Sequence, residues 1–162
     1  MRKDQRGFSL IELLVVVAII LIVVAIAIPN FLRSRIAANQ ASAVESLRVI
    51  ATGEVTYAST YGTGFSTSIP VLGPPAAGQQ ASSTAAGLLD QALASSYKSG
   101  YVFVYSAGSY NPATNTWNSY TLLANPSVFG QTGTAYYYTD QTFLIRANSQ
   151  TTAGSTDSAL GD

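Results

Sequence analysis

The sequence has no cysteine and no histidine, and only 10% of its 162 residues are charged. Without these side chains there is no disulfide framework, no thiolate nucleophile and no imidazole base. Zinc sites built on cysteine and histidine are excluded as well. Serines are frequent, but Lys98 and scattered carboxylates are the available bases, their spacing matches no catalytic pattern, and no glycine-rich phosphate loop follows a predicted strand. We therefore predict no enzyme, no catalytic residue and no cofactor.

The formal net charge is zero, but it is unevenly distributed along the chain. Residues 1–7 carry +2, and the sequence from Phe8 onward carries −2. A nucleic-acid-binding domain normally shows a basic stripe, so no specific nucleic-acid partner is predicted. A basic start before an apolar run holds the N-terminus on the cytoplasmic side of a membrane.

Three interpretations compete for the N-terminal segment, in which Leu13 to Ile28 contains no polar residue. A secretory signal peptide has an apolar region of about 7–15 residues and a small-residue cleavage site, which Ala25 and Ala27 imitate. The run here is longer and continues into helical sequence. A plain membrane anchor fits better, because Phe8 to Ile28 spans about 31 Å as a helix. It leaves Glu12 unexplained, since a lone carboxylate at such depth costs about 2.5–3.5 kcal/mol.

The third interpretation accounts for both features. Residues 7–12, Gly-Phe-Ser-Leu-Ile-Glu, resemble the prepilin processing motif of type IV pilins and of their pseudopilin relatives. The short basic leader, the apolar run and Pro29 fall in the same register, and the resemblance extends to about residue 61. It implies that a prepilin peptidase cuts after Gly7 and methylates the new amine of Phe8. It also implies that Glu12 acts in assembly and that Pro29 kinks the helix.

Electrostatics gives a reason for the pairing of a terminal amine with Glu12. After cleavage Phe8 would carry a positive amine and Glu12 a negative carboxylate, both at a depth where charge is costly. Opposite charges attract strongly in a low-dielectric medium. The amine of Phe8 can pair with Glu12 of its own chain or with Glu12 of a neighbouring subunit. The resemblance implies the neighbour, which would set the axial register of a growing filament.

The residues beyond Pro29 predict an amphipathic helix to about Tyr61. Apolar side chains recur at spacings of three, four or seven, which places them on one helical face. The polar residues, including Glu54, are assigned to the rest of the surface. The apolar stripe is interpreted as core packed on a sheet, and its members are Leu32, Ile36, Ala43, Leu47, Ile50, Tyr57 and Tyr61.

The remaining sequence predicts a globular head over residues 62–146 and an extended tail over residues 147–162. Glycines and prolines make residues 62–83 a long surface-wrapping loop. Ser83 or Thr84 is expected to cap a short helix to about Ser95, with Leu88, Leu89, Ala92 and Leu93 as its buried side. Strands are predicted at 101–105, 117–124, 136–139 and 142–146, with a turn at 111–115 and a tight hairpin at 140–141.

The predicted fold is therefore α+β and type IV pilin-like: a long kinked N-terminal helix packed on a small antiparallel sheet of three to four strands. The domain order is a leader (1–7), a transmembrane or filament-core half-helix (8–29), an amphipathic half-helix (30–61), the head and the tail. Two sharper ideas for the head are less favoured than ordinary packing. One is an aromatic ladder of tyrosines, of which the whole chain has ten. The other is a calcium site that uses Asp140, Asp157 and Asp162, because calcium needs six to eight oxygens.

The function implied by the resemblance is that of a structural subunit of a surface filament for adhesion, motility or DNA uptake. The subunit would be held in the inner membrane by one span and then join a homo-oligomeric filament. Expected partners are the prepilin peptidase, membrane lipid, and an inner-membrane assembly platform with its ATPase. Two alternatives stay open: a pseudopilin of a type II secretion system, and a monomeric membrane-anchored binding module.

Overall fold

The computed structural model describes residues 8–161, so the leader with Gly7 lies outside the described residues, as does Asp162. The described chain divides into two compact units, one ending at Arg35 and one starting at Ile36. The fold is α+β, with a long N-terminal helix and an antiparallel sheet, as the sequence predicts.

Helix α1 extends over Leu10–Tyr61 and contains Pro29. It ends in a left-handed cap: Gly62 has φ +67° and donates its N–H to the Ala58 carbonyl at 3.0 Å. Glycine is common there because it adopts positive φ without a Cβ clash. In the first unit, every described residue from Phe8 to Arg35 is exposed. This part of α1 is long and apolar enough to cross a membrane.

The second unit is built on short strands. They are β1 Tyr97–Lys98, β2 Tyr101–Ala107, β3 Tyr110–Asn111, β4 Thr116–Trp117, β5 Tyr120–Pro126, β6 Tyr136–Asp140 and β7 Arg146–Asn148. Five of the described strands form one sheet with the order β1-β2-β5-β6-β7 and antiparallel pairing throughout, and β3 pairs with β4 in a separate hairpin. The predicted number of three to four strands was too low, because β1 and β7 have only two and three residues and show no alternation that a sequence pattern could reveal.

The core of the second unit lies between α1 and the inner face of the sheet. The helical stripe is buried at Ala43, Leu47, Ile50 and Tyr57, as predicted. It packs with alternate strand residues, among them Tyr101, Phe103, Tyr120 and Leu122. Period-two alternation on β2 and β5 places these side chains on one face. Leu32 is a correction: it is 50% exposed and belongs to the first unit.

The predicted helix from Ser83 to Ser95 is wrong in length. Helix α2 covers only Gln91–Ala94, and Asp90 caps it by accepting the Leu93 N–H at 2.6 Å. Residues 86–89 donate their N–H groups instead to the 3₁₀ helix Ile69–Leu72 and to Gly73 directly after it, and two of these N–H groups share the Leu72 carbonyl. A backbone already bonded to a neighbouring segment cannot also form helix. Ser83, Thr84 and Ala92 are consequently exposed.

The region 62–83 is less of a surface loop than predicted. Its 3₁₀ helix inserts Ile69 and Leu72 into the core, and Ser66 is also buried. The glycines and prolines correctly indicated irregular backbone. Irregular backbone can nevertheless contribute to the core when its polar groups find partners.

Strand boundaries in the second half of the head also differ from prediction. Trp117 belongs to β4, and the following strand starts at Tyr120 and includes Pro126. The turn at 111–115 is confirmed as the connection of the β3–β4 hairpin. The tight hairpin at 140–141 is wrong: residues 141–145 connect β6 to β7. Asp140 accepts from the N–H and the hydroxyl of Thr142, and such local bonds compete with strand pairing.

The segment 147–161 folds back onto the sheet, which corrects the predicted extended tail. The Ala147 N–H donates to the Ser158 carbonyl at 3.1 Å, and the Leu160 N–H donates to the Ile145 carbonyl at 2.8 Å. The Arg146 guanidinium donates to the Asp157 carbonyl at 2.7 Å. Small side chains allow this segment to pack closely, and one of them, Ala153, is buried.

Candidate functional site

The start of α1 is organised by a bond between Ser9 and Glu12. The Glu12 carboxylate accepts the Ser9 N–H at 3.0 Å. Ser9 directly precedes Leu10, the first helical residue, so Glu12 occupies the third helical position. This is the reciprocal half of a capping box, in which an acidic side chain satisfies an N–H at the helix start. The Ser-x-x-Glu spacing carried this signal, and our sequence analysis did not use it.

Phe8 and Glu12 both line one groove on the first unit, together with Ile11, Val15 and Val16. Phe8 is 79% exposed. The charge pair of the processed Phe8 amine with Glu12 stays a prediction, and so does the role of Gly7, which lies outside the described residues.

The apolar run that follows these residues has its side chains open to the surroundings. Large apolar residues from Leu13 to Ile28 are all classed as exposed. An apolar surface of this size is unfavourable in water, and soluble monomers rarely expose one. Lipid or other apolar helices must therefore cover it.

Pro29 lies inside α1 without ending the helix. Proline has no N–H, so it cannot donate to the carbonyl one turn earlier, and its ring crowds that turn. The neighbouring Asn30 side chain donates to the Ile26 carbonyl at 3.1 Å. This bond supplies an additional donor in the disturbed turn. The kink assigned to Pro29 stays a prediction.

A buried carboxyl on α1, in the second unit, was not predicted from the sequence. Glu54 is completely buried, and it accepts the Ser66 N–H at 2.7 Å and the Ser66 hydroxyl at 2.6 Å. Tyr105 donates to the Ser66 carbonyl at 2.8 Å. Burial raises the pKa of Glu54, although the bonds from Ser66 oppose the rise. Its position between Ile50 and Tyr57 continues the apolar stripe at helical spacing, and this spacing was the available signal.

Two of the acidic residues considered for calcium, Asp140 and Asp157, accept hydrogen bonds from nearby residues of the chain. Asp157 accepts from the Asn148 amide at 2.9 Å and from the Gly154 N–H at 2.7 Å. Asp140 accepts from Thr142 and Tyr138. Within residues 8–161 no three acidic side chains are grouped as metal ligands, and Asp162 lies outside that range.

Comparisons with known proteins concern the same N-terminal region. Residues 2–28 match the family model described as the prokaryotic N-terminal methylation motif. The N-terminal part is 46% identical over 55 residues to the type IV major pilin protein PilA of Myxococcus xanthus (strain DK1622). That alignment covers 34% of this chain and 25% of the relative, so the chain spans about a quarter of the relative's length. No solved structure gives a significant match.

Proposed function

Given that residues 2–28 carry the prokaryotic N-terminal methylation motif, we propose that the chain is a structural subunit of a type IV pilus-like surface filament. In this proposal a prepilin peptidase cuts after Gly7 and methylates Phe8, and the subunit polymerises through α1. The observation that carries the proposal is the exposed apolar half of α1, which lies within the residues that match the motif.

Two environments can cover that apolar surface in turn. Before assembly the span would lie in the inner membrane, where a helix satisfies its backbone bonds internally. During assembly the same surface would pass into a filament core made of neighbouring helices, so that it never enters water. An inner-membrane platform with an ATPase is the partner expected to drive this transfer.

Glu12 is proposed to set the position of each added subunit. In the chain as described, its carboxylate has one bond, from the Ser9 N–H, and a carboxylate can accept several more. A cut after Gly7 would create a positive amine on Phe8, which lies in the same groove. In the filament, Glu12 would accept from the Phe8 amine of a neighbouring subunit.

Mass spectrometry of the N-terminal peptide tests the proposal in material sheared from cells and in membranes. The expected result is a methylated Phe8 terminus in the sheared filaments. Gly7→Glu is expected to leave full-length precursor in the membrane. Glu12→Gln keeps an acceptor for the Ser9 N–H but removes the charge. We expect it to be processed normally and to yield at least ten times less filament.

Each result has an opposite that bears on a separate part of the proposal. An intact Met1 terminus in both fractions would show that Gly7 is not a cleavage site. A processed terminus confined to membranes would favour a pseudopilin over a pilus subunit. Normal filament yield from Glu12→Gln would show that assembly does not need the charge pair. In that case Glu12→Val, which also removes the acceptor for the Ser9 N–H, would show whether the cap at the start of α1 matters for assembly.

A further inference from the structure

A small pocket lies where four segments of the second unit meet. It has a volume of about 190 Å³ and is bounded by Tyr57 near the end of α1, by residues 63–67, by Ser83 and by the β3–β4 hairpin. Drug-sized ligand pockets span about 300–1,000 Å³. The dimensions of this pocket therefore suit a single six-membered ring.

The backbone holds the β3–β4 hairpin firmly against the segment that follows α1. The Trp117 N–H donates to the Thr63 carbonyl at 3.0 Å, and the Phe65 N–H donates to the Trp117 carbonyl at 2.9 Å. Gly64 makes this approach possible, because a Cβ there would lie 2.1 Å from the Trp117 carbonyl oxygen. The pocket wall is thus fixed by bonds between distant parts of the chain.

Aromatic rings form the apolar part of the wall. Tyr57, Phe65, Tyr110 and Trp117 all line the pocket. The rings of Tyr110 and Trp117 lie 5.0 Å apart at an angle of 47°. Tyrosine and tryptophan offer large rigid surfaces that also tolerate water at one edge.

The polar part of the wall is neutral. None of the eight residues that line the pocket in the described chain is charged. The Asn115 amide oxygen accepts the Tyr110 hydroxyl at 2.6 Å, which orients the amide. The Thr63 hydroxyl is itself closed to solvent, and the other polar side chains of the wall are Thr67, Ser83 and Asn115.

The wall composition limits the ligand class. A phosphate or carboxylate would find no cation in the wall, and a purely apolar ligand would contact the rings but make no bond to the polar side chains that line the rest of the pocket. A neutral sugar has apolar C–H faces for the rings and hydroxyl edges for the polar groups. We propose that this pocket binds one neutral pyranose unit of a polysaccharide.

This ligand class would give the proposed filament an adhesive target. The inference rests on the proposed function in one respect, which is that the pocket would be displayed on a surface filament. Binding itself is measured on the isolated full chain, so a negative binding result leaves the processing experiment untouched.

The unique tryptophan provides the measurement, because Trp117 is the sole source of tryptophan fluorescence. The full chain is titrated in a detergent without a sugar headgroup. The probes are methyl glycosides of glucose, galactose, mannose, N-acetylglucosamine and N-acetylgalactosamine, and their short oligosaccharides. We expect a saturable emission change with at least one of them, at a Kd on the order of 1 mM for a single ring.

Two tyrosine variants separate the pocket from general effects. Tyr110→Ala is expected to weaken binding at least tenfold, because it removes one stacking surface. Tyr97→Ala is the matched control, since Tyr97 is also an exposed tyrosine on a two-residue strand but lies outside the pocket. Its affinity should equal that of the wild type. Because Tyr110 lies beside Trp117, the far-ultraviolet circular dichroism and the urea unfolding midpoint, rather than the emission spectrum, verify that each variant keeps its fold.

Several outcomes would overturn the inference. One is the absence of a saturable response to any of the probes. A second is equal loss of affinity in both tyrosine variants. A third is tighter binding of glucuronic acid than of glucose, which would contradict a neutral pocket. A response to indole without any response to sugars would identify an aromatic ligand instead.

Discussion

At the scale of single residues, Glu54 combines two opposing effects. Burial disfavours its charged form and raises its pKa, whereas the two bonds from Ser66 favour that form. The tyrosines near it, Tyr105 and Tyr120, are neutral at physiological pH. Because the folded state holds the proton more tightly than the unfolded chain, the contribution of Glu54 is greatest below the ordinary pKa of 4.5. It is lost as the pH rises through the raised pKa.

Glu54→Gln is therefore predicted to remove a pH-dependent loss of stability. The free energy of unfolding of the wild type should fall between the ordinary and the raised pKa, by at most about 1.4 kcal/mol per pH unit. The variant should lack this fall and should match the wild type below pH 4.5. Urea unfolding of the full chain in detergent, followed by Trp117 fluorescence at several pH values, measures the difference.

Glu45→Gln is the control for this experiment. Glu45 lies on the same helix, but its side chain is exposed and pairs with Arg48 at 3.6 Å, so the fall should persist in this variant. Asp90 acts in another pH range: its bond to the Leu93 N–H lowers its pKa below 3.8, and its contribution is lost only as the pH falls further. Parallel pH profiles for wild type and Glu54→Gln would contradict the assignment.

At the scale of structural elements, two glycines after α1 have the same backbone conformation and different surroundings. Gly62 has φ +67° and no atom within 4 Å of a built Cβ, whereas Gly64 has φ +74° and faces the Trp117 backbone. A side chain at positive φ costs about 1–2 kcal/mol at either position. Only at Gly64 must the β3–β4 hairpin also move.

Gly64→Ala is predicted to displace the hairpin, and Gly62→Ala is predicted to leave it in place. Both variants should lose about 1–2 kcal/mol of unfolding free energy from the backbone alone. Gly64→Ala should lose more, and the emission of Trp117 should shift as the hairpin that carries it moves away from the backbone of residues 63–65. Identical spectra for the two variants would show that the hairpin accommodates the methyl group and is less rigidly docked than we describe.

The elements that could be predicted from the sequence are those that repeat over many residues. The periodic apolar residues of α1 and the alternation in β2 are long enough to determine their own structure. The short strands β1 and β7 have no such period, because they form only by pairing with an existing strand. Helix α2 is short because residues 86–89 bond to a segment some fifteen residues earlier, which local patterns do not report.

The same distinction applies to the candidate sites. The N-terminal motif is contiguous, so residues 7–12 could be interpreted directly from the sequence. The bonds of Glu54 to Ser66, and the pocket between Tyr57 and Trp117, join residues 12 and 60 positions apart. Neither pairing has a signature in a single sequence. The spacing of Glu54 within the apolar stripe predicts its burial, but not its partner.

At the scale of the whole molecule, the head depends on tyrosines for much of its core. In the part of the chain that the structure describes, burial raises the pKa of five of the ten tyrosines of the sequence. These are Tyr101, Tyr105, Tyr120, Tyr137 and Tyr138. Their phenols pack inside the core or against it, and Tyr105 stacks on Tyr120 at 5.5 Å. An ionised phenol cannot remain in these positions without a large desolvation cost.

The head is therefore predicted to unfold cooperatively in alkali. A phenol with a raised pKa contributes stability that is fully present below its ordinary value of 10.0 and is lost as the pH rises further. Tyrosinate absorbance should increase in one step together with the loss of near-ultraviolet circular dichroism.

Tyr120→Phe should move this step to higher pH and should cost little stability at neutral pH, because the Tyr120 hydroxyl has no hydrogen-bond partner among the described residues. Tyr101→Phe should lose about 1 kcal/mol at neutral pH, since it removes a bond of 2.9 Å to the Ala135 carbonyl. Ionisation of all the tyrosines with the dichroism preserved would show that the phenols reach solvent without unfolding.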